Sequence, residues 1–152
     1  DRMDITIRSA RLGDISRLAE LLADLFTLES DFAPDVEKQK DGLSYLLADS
    51  AGRSHVVVAE QAGDIIGMAS VQTLFSTAEG GRVGLVEDVI VDRNHRVQGV
   101  GTEMLEAVEA WSRRKGLRRL QLMADRGNTA ALNFYGSNRW HSTNLIALRR
   151  RL

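Results

Sequence analysis

Apolar and polar residues alternate over Ile5-Thr6-Ile7, the pattern of a half-buried strand. From Asp14, which reads as an N-cap, Ile15, Leu18, Leu21, Leu22 and Leu25 recur at helical spacing. The stretch Glu29 to Asp35 carries Pro34 and reads as a loop, and a second helix is expected over Val36 to Leu47, ending before Ser50-Ala51-Gly52. His55-Val56-Val57-Val58-Ala59-Glu60 is strand-like. Gly63-Asp64 turns it into the run Ile65 to Val71, so the two form a hairpin. After Gly80-Gly81 comes a third apolar run, Leu85 to Val91. A long helix is expected over Gly99 to Lys115. Met104, Val108 and Trp111 share one face of it; Glu103, Glu106 and Glu109 sit early and Arg113, Arg114 and Lys115 late, complementing the helix dipole. Gly116 stops it, and Leu120 to Ala124 reads as the next strand. A short helix over Thr129 to Ser137, with Leu132 and Phe134 expected in the core, and a last strand over Leu145 to Leu152 complete an order βααβββαβαβ. That order predicts an α/β fold with a mixed sheet.

Composition narrows the picture by exclusion. A chain of 152 residues suits one domain, and its 43% hydrophobic and 27% charged residues are those of a globular protein rather than a disordered one. Met3 reads as the natural start and Asp1-Arg2 as a cloning remnant, so the expected domain runs from 3 to 152. Lys plus Arg total 20 against 21 Asp plus Glu, a balance that argues against a nucleic-acid partner held by a basic surface. No apolar run approaches the roughly 18 residues of a membrane span, so no membrane role is expected. The absence of cysteine removes disulfides, thiolate metal sites and a cysteine nucleophile, and fits a cytoplasmic location. His55, His95 and His141 are far apart and lack metal-site spacing, so no metal is expected.

Three segments carry candidate chemistry. Arg96-Val97-Gln98-Gly99-Val100-Gly101-Thr102 joins a strand to the long helix. Its glycines allow close approach, and unpaired N–H groups at a helix start favour a phosphate. It is not a P-loop, since Gly101-Thr102-Glu103 lacks the lysine, nor a dinucleotide turn, since Met104 stands where a small residue is needed. Glu87-Asp88 interrupts an apolar strand. Strict alternation sends the two carboxylates to opposite faces, and a carboxylate in apolar surroundings has the raised pKa of a general base. Finally, in Asn128-Thr129-Ala130-Ala131-Leu132-Asn133-Phe134-Tyr135, Asn128 reads as an N-cap, and Tyr135 as either a packing residue or a phenol able to give up a proton.

In this order the three segments resemble the GNAT superfamily of acetyl-CoA-dependent N-acetyltransferases. Arg96-Val97-Gln98-Gly99-Val100-Gly101 is similar to the family's Arg/Gln-x-x-Gly-x-Gly/Ala signature, with Val97 in place of the commoner glycine. Leu85 to Val91 looks like the family's fourth strand. Asn128, Ala131, Phe134 and Tyr135 resemble its late Asn-x-x-Ala-x-x-Phe-Tyr element, followed here by Arg139-Trp140 instead of the usual Gly-Phe. The resemblance covers nearly the whole chain. It implies a mixed, largely antiparallel twisted sheet flanked by helices and splayed between strands four and five.

The resemblance also implies roles. The backbone of Val89, Ile90 and Val91 would bind the pantetheine arm of acetyl-CoA. Arg96 and Val97 open the loop, and the amides of Gln98, Gly99, Val100, Gly101 and Thr102 would cradle the pyrophosphate. Asn128 would contact the cofactor near its acetyl end, and Tyr135 would protonate the departing thiolate. Glu87 is the expected general base, Asp88 the reserve, for direct attack of a primary amine in a ternary complex. The acceptor would be a small-molecule or peptide amine, and a homodimer is compatible with the family. A non-catalytic acyl-CoA-binding or regulatory module of the same fold is the alternative, and a longer acyl group the variant. The acidic stretch Glu29, Asp31, Asp35, Glu37 and Asp41, interleaved with Lys38 and Lys40, reads as a solvated surface first and as an attractor of cationic amines second.

Overall fold

A computed structural model describes residues 4–29, 31–96 and 98–152; the expected start at Met3 and the loop residue Val97 fall outside the described residues. The chain divides into two units, Asp1–Leu122 and Met123–Leu152.

The first unit contains β1 (Ile5–Ser9), α1 (Ile15–Leu28), α2 (Val36–Leu47), β2 (Ser54–Gln61), β3 (Asp64–Ser76), β4 (Gly81–Val91), α3 (Val100–Arg114) and β5 (Leu120–Leu122). The strands form one sheet in chain order, antiparallel from β1 to β4 and parallel between β4 and β5. The β2–β3 hairpin foreseen from Gly63-Asp64 is present, with Val58 opposite Met68.

The leucines of α1 do what their spacing requires. Leu18, Leu21, Leu22 and Leu25 join Leu43 of α2 over Val56, Val58, Met68 and Ile90 of the sheet. Each leucine taken fully out of water contributes about 1.5–3 kcal/mol. Adjacent strand residues face opposite ways, so Gly67, beside Met68, meets the other layer; a Cβ there would lie 3.1 Å from Met104 of α3. Helices therefore cover both faces, with Met104, Val108 and Trp111 of α3 buried as their spacing predicted.

Asp14 departs from expectation. Its carboxylate makes no cap bond to α1. It accepts instead from the Arg11 amide at 2.7 Å and from Arg8 of β1 at 2.9 and 3.1 Å. The same guanidinium reaches Glu60 of β2 at 3.0 Å. A short-range capping signal gave way to a charged fork on the neighbouring strand, because a bidentate guanidinium–carboxylate pair makes two charge-assisted bonds where a cap makes one.

The second unit contains α4 (Thr129–Ser137). Asn128 caps it as read, accepting from the Ala131 amide at 3.1 Å. Leu132, expected in the core, is 42% exposed, and Phe134 is only half-buried. The expected strand over Leu145 to Leu152 is absent: residues 141–152 form neither helix nor strand and are exposed. No ladder partner is found for them among the described residues, and an extended segment without cross-strand bonds is not held as a strand.

Candidate functional site

The site begins where β4 loses a neighbour. On one side β4 pairs with β3 along its whole length, from Gly81 opposite Ser76 to Val91 opposite Gly67. On the other it pairs with β5 only through Gly84, Leu85 and Val86. Gly84 lets the strands come this close, since a Cβ on it would lie 2.6 Å from a Leu120 methyl carbon and 3.0 Å from Leu117 and Val71. Beyond Val86 the sheet splays, and among the described pairs the β5-facing edge of Glu87, Asp88, Val89, Ile90 and Val91 is outside the ladder. Strand backbone left in this state is a template for an extended ligand.

A bulge sits at the head of that edge. Met68 faces Ile90 while Ser70 faces Glu87, so Asp88 and Val89 together oppose Ala69. Asp88 takes up the extra residue with φ +57°, a left-handed conformation in which Asp is enriched among non-glycine residues. Buried Ser70 ties the bulge down by donating from Oγ to the Glu87 carbonyl at 3.0 Å. The bulge interrupts the regular pleat after Glu87, which itself stays in register with Ser70. Burial pushes the Asp88 carboxyl up to about 7, and the negative charges of Glu87 and then Glu29 add to the effect.

Glu29 was not legible as a neighbour of Asp88. It is the C-cap of α1, its amide bonded to the Leu25 carbonyl at 3.2 Å, and lies 59 positions earlier in the chain. Only the seating of α1 over β4 brings its charge to bear. The acidic stretch singled out from sequence thus divides: Glu29 is half-buried and close enough to influence Asp88, whereas Asp31, Asp35, Glu37 and Asp41 are exposed.

At the far end of β4, Asp92 caps a short 3-10 turn over Arg93–His95 by accepting from the Asn94 amide at 2.9 Å. Arg96 follows, its Nε donating to the Val91 carbonyl at 3.1 Å. Gly99 has φ +80°, the left-handed entry to α3 that favours glycine, and intrahelical bonding starts with the Glu103 amide on the Gly99 carbonyl at 3.1 Å. The amides of Val100, Gly101 and Thr102 precede that first bond. A 15-residue helix ends here with its positive pole, so the residues fit a diphosphate. Gln98 is exposed beside them.

The first unit therefore brings together Glu87, Asp88, the Val89 to Val91 edge and the loop from Arg96 through Thr102, save Val97. Asn128 and Tyr135 belong to the second unit. There Asn128 spends its side-chain oxygen on the α4 cap, and the half-buried Tyr135 ring packs against Phe134 at 5.3 Å and edge-on to Trp140 at 6.1 Å. Among the described residues, no helix is long and apolar enough to cross a membrane.

Comparison with known proteins points the same way. Residues 17–138 match the model of the Acetyltransferase (GNAT) family. The chain is 25% identical over 135 residues to the N-acetyltransferase YhfO of Bacillus subtilis (strain 168), covering 88% of each protein. It is 31% identical over 118 residues to an aminoglycoside N(6')-acetyltransferase type 1 of Stenotrophomonas maltophilia, covering 76% of this chain and 72% of that one. Among solved structures, a possible acetyltransferase from Clostridium difficile 630 shares the fold at TM-score 0.83, with 17% identity and 97% of each chain covered. A strand that splays from its neighbour beside a glycine-led helix start, in a chain that matches this family over most of its length, leads to one conclusion: the chain belongs to the GNAT family of acetyltransferases and is an acyltransferase enzyme.

Proposed function

We propose that this enzyme moves the acetyl group of acetyl-CoA, the donor its family uses, to a primary amine on a small cationic molecule, by direct attack in a ternary complex. The observation that carries the reading is the bulged Asp88, a half-buried carboxyl pushed up to about 7 at the head of an open strand edge. A group near neutrality holds and releases a proton at working pH, which is what a base acting on an ammonium needs. On this ground the base is Asp88 rather than Glu87, and Glu87 supplies the adjacent negative charge. The ammonium gives one proton to Asp88, and the freed nitrogen attacks the thioester carbonyl; the carbon–nitrogen bond forms as the carbon–sulfur bond breaks, and the second proton lost by nitrogen balances the one the departing thiolate takes up. The backbone of Val89 to Val91 would hold the pantetheine arm, and the amides from Gln98 to Thr102 the diphosphate. Asn128 and Tyr135 retain the roles the family resemblance implies: contact near the acetyl end, and protonation of the departing thiolate.

The acceptor is proposed to carry positive charge because Glu29 and Glu87 both act on Asp88. The aminoglycoside acetyltransferase relative makes an aminated sugar a sensible first acceptor to try. The test is calorimetric titration with acetyl-CoA of the wild type and of Gly101→Glu, followed by CoA release over a panel of amines. Binding abolished by the mutation, with turnover of cationic amines, is the expected result. Failure of the wild type to bind overturns the donor assignment. Binding without turnover of any amine would favour a non-catalytic module instead.

A further inference from the structure

Arg17, in the first turn of α1, reaches three elements with one guanidinium. Its Nη1 donates to Glu20 on its own helix at 3.1 Å, its Nε to the Ile65 carbonyl at the start of β3 at 3.0 Å, and its Nη2 to Asp92 at 3.0 Å. Asp92 is the point at which β4 gives way to the loop. Its amide donates to the Ile66 carbonyl at 2.7 Å, its Oδ1 accepts from the Asn94 amide at 2.9 Å, and its carbonyl accepts from the His95 amide at 2.9 Å. His95 Nδ1 stands 3.6 Å from the same carboxylate. The Asn94 amide, with Arg17 and His95 adding, holds the Asp92 carboxyl below its usual range, so it is an anion wherever the protein is folded near neutrality. These residues line a cleft of about 540 Å³ with Gly13, Asp64 and Asn94, separate from the open edge of β4.

We infer that the Arg17–Asp92 pair is a positioning device for donor binding: it locks the turn that delivers Arg96 and the amides at the start of α3. The inference rests on the donor reading above. A helix start binds a diphosphate only while its amides converge on it, and small misplacement of a positioning group is costly. Among the described residues, no other hydrogen bond or ion pair ties the turn to α1, the helix whose far end carries Glu29. Arginine suits the position because its planar fork meets a carboxylate and a backbone carbonyl at once, which a lysine point charge does less well. Sequence alone gave no hint of the pair, since 75 positions separate its members.

The test compares two donors, acetyl-CoA and S-acetylpantetheine, which lacks the diphosphate, in Arg17→Gln, Asp92→Asn and the double variant. Asp92→Asn keeps an oxygen for the Asn94 amide but turns an N–H donor instead of a carboxylate oxygen towards Arg17, which breaks the pair. Each single variant is expected to raise the Kd for acetyl-CoA about tenfold, the size of a coupled contact in this class, and the double variant no further. The kcat/KM for S-acetylpantetheine should stay at the wild-type value. Arg17→Lys, which keeps the charge but not the fork, is expected to recover part of the loss seen in Arg17→Gln. An unchanged Kd in variants of a wild type that binds acetyl-CoA overturns the positioning role alone. So does a parallel loss with both donors, or full additivity in the double variant. A wild type that does not bind acetyl-CoA overturns the donor reading and this role with it.

Discussion

Replacing Asp88 with Asn tests the base and the burial of its charge in one protein. Folding moves this carboxyl from an ordinary 3.8 to about 7. The folded state thus keeps a proton that the unfolded chain has already lost, and stability falls as pH rises between those two values and levels off above the higher one. At 1.36 kcal/mol per pH unit, the segment from about pH 5 to about pH 7 costs about 3 kcal/mol. Urea denaturation at about pH 5 and about pH 8.5 should therefore show the wild type losing about 3 kcal/mol relative to Asp88→Asn, whose carboxamide does not titrate. Other groups titrate alike in both proteins and cancel in the difference. The same variant should lower kcat/KM by about 10²–10⁴, the usual worth of a positioned base. It should also abolish the low-pH limb, which in the wild type has an apparent pKa of about 7. A stability difference independent of pH, together with an unchanged pH–rate limb, would refute both the burial argument and the assignment of the base.

Other predictions follow from packing and charge. Gly84→Ala places a methyl 2.6 Å from Leu120 and should cost about 1–3 kcal/mol by chemical denaturation, with loss of the β4–β5 pairing in amide exchange. Leu21→Ala, at a fully buried position on the inner face of α1, should cost about 3 kcal/mol and lower the thermal midpoint without altering the pH of the activity limb. Arg8 is the chief cause that holds the Asp14 carboxyl below its usual range, so that contribution to stability is present at neutrality and is lost as the pH falls through the folded-state value. Arg8→Gln should flatten the acid limb of the stability curve, and an acid limb as steep as that of the wild type would contradict the pairing.

Much of the local architecture was legible because it depends on neighbours in sequence. The leucine spacing of α1, the Gly63-Asp64 turn, the charge order of α3 and the Asn128 cap all involve contacts within a few residues, and each is present in the structure. So was the glycine-led start of α3, since the helix begins at Val100 behind a glycine in the left-handed region. The misreadings lie where distant segments compete. Asp14 left its helix cap for Arg8, the expected strand after Leu145 found no ladder, and Leu132 was not taken into a core.

The candidate base shows the boundary most clearly. Sequence by itself determined that an acid pair interrupts the apolar run of β4, and that a glycine-bearing turn into a long helix follows it. Alternation alone did not foresee the bulge after Glu87, because a bulge is decided by the partner strand: Ala69 of β3 is opposed by two residues rather than one. The elevation of Asp88, the approach of Glu29 and the Arg17–Asp92 tie likewise arise from burial and from charges far apart along the chain. Hydrophobic periodicity fixes which face of an element is buried, because that follows from the repeat of the backbone. Which charges meet across the buried faces depends on how the elements are seated, and only the tertiary structure decides that.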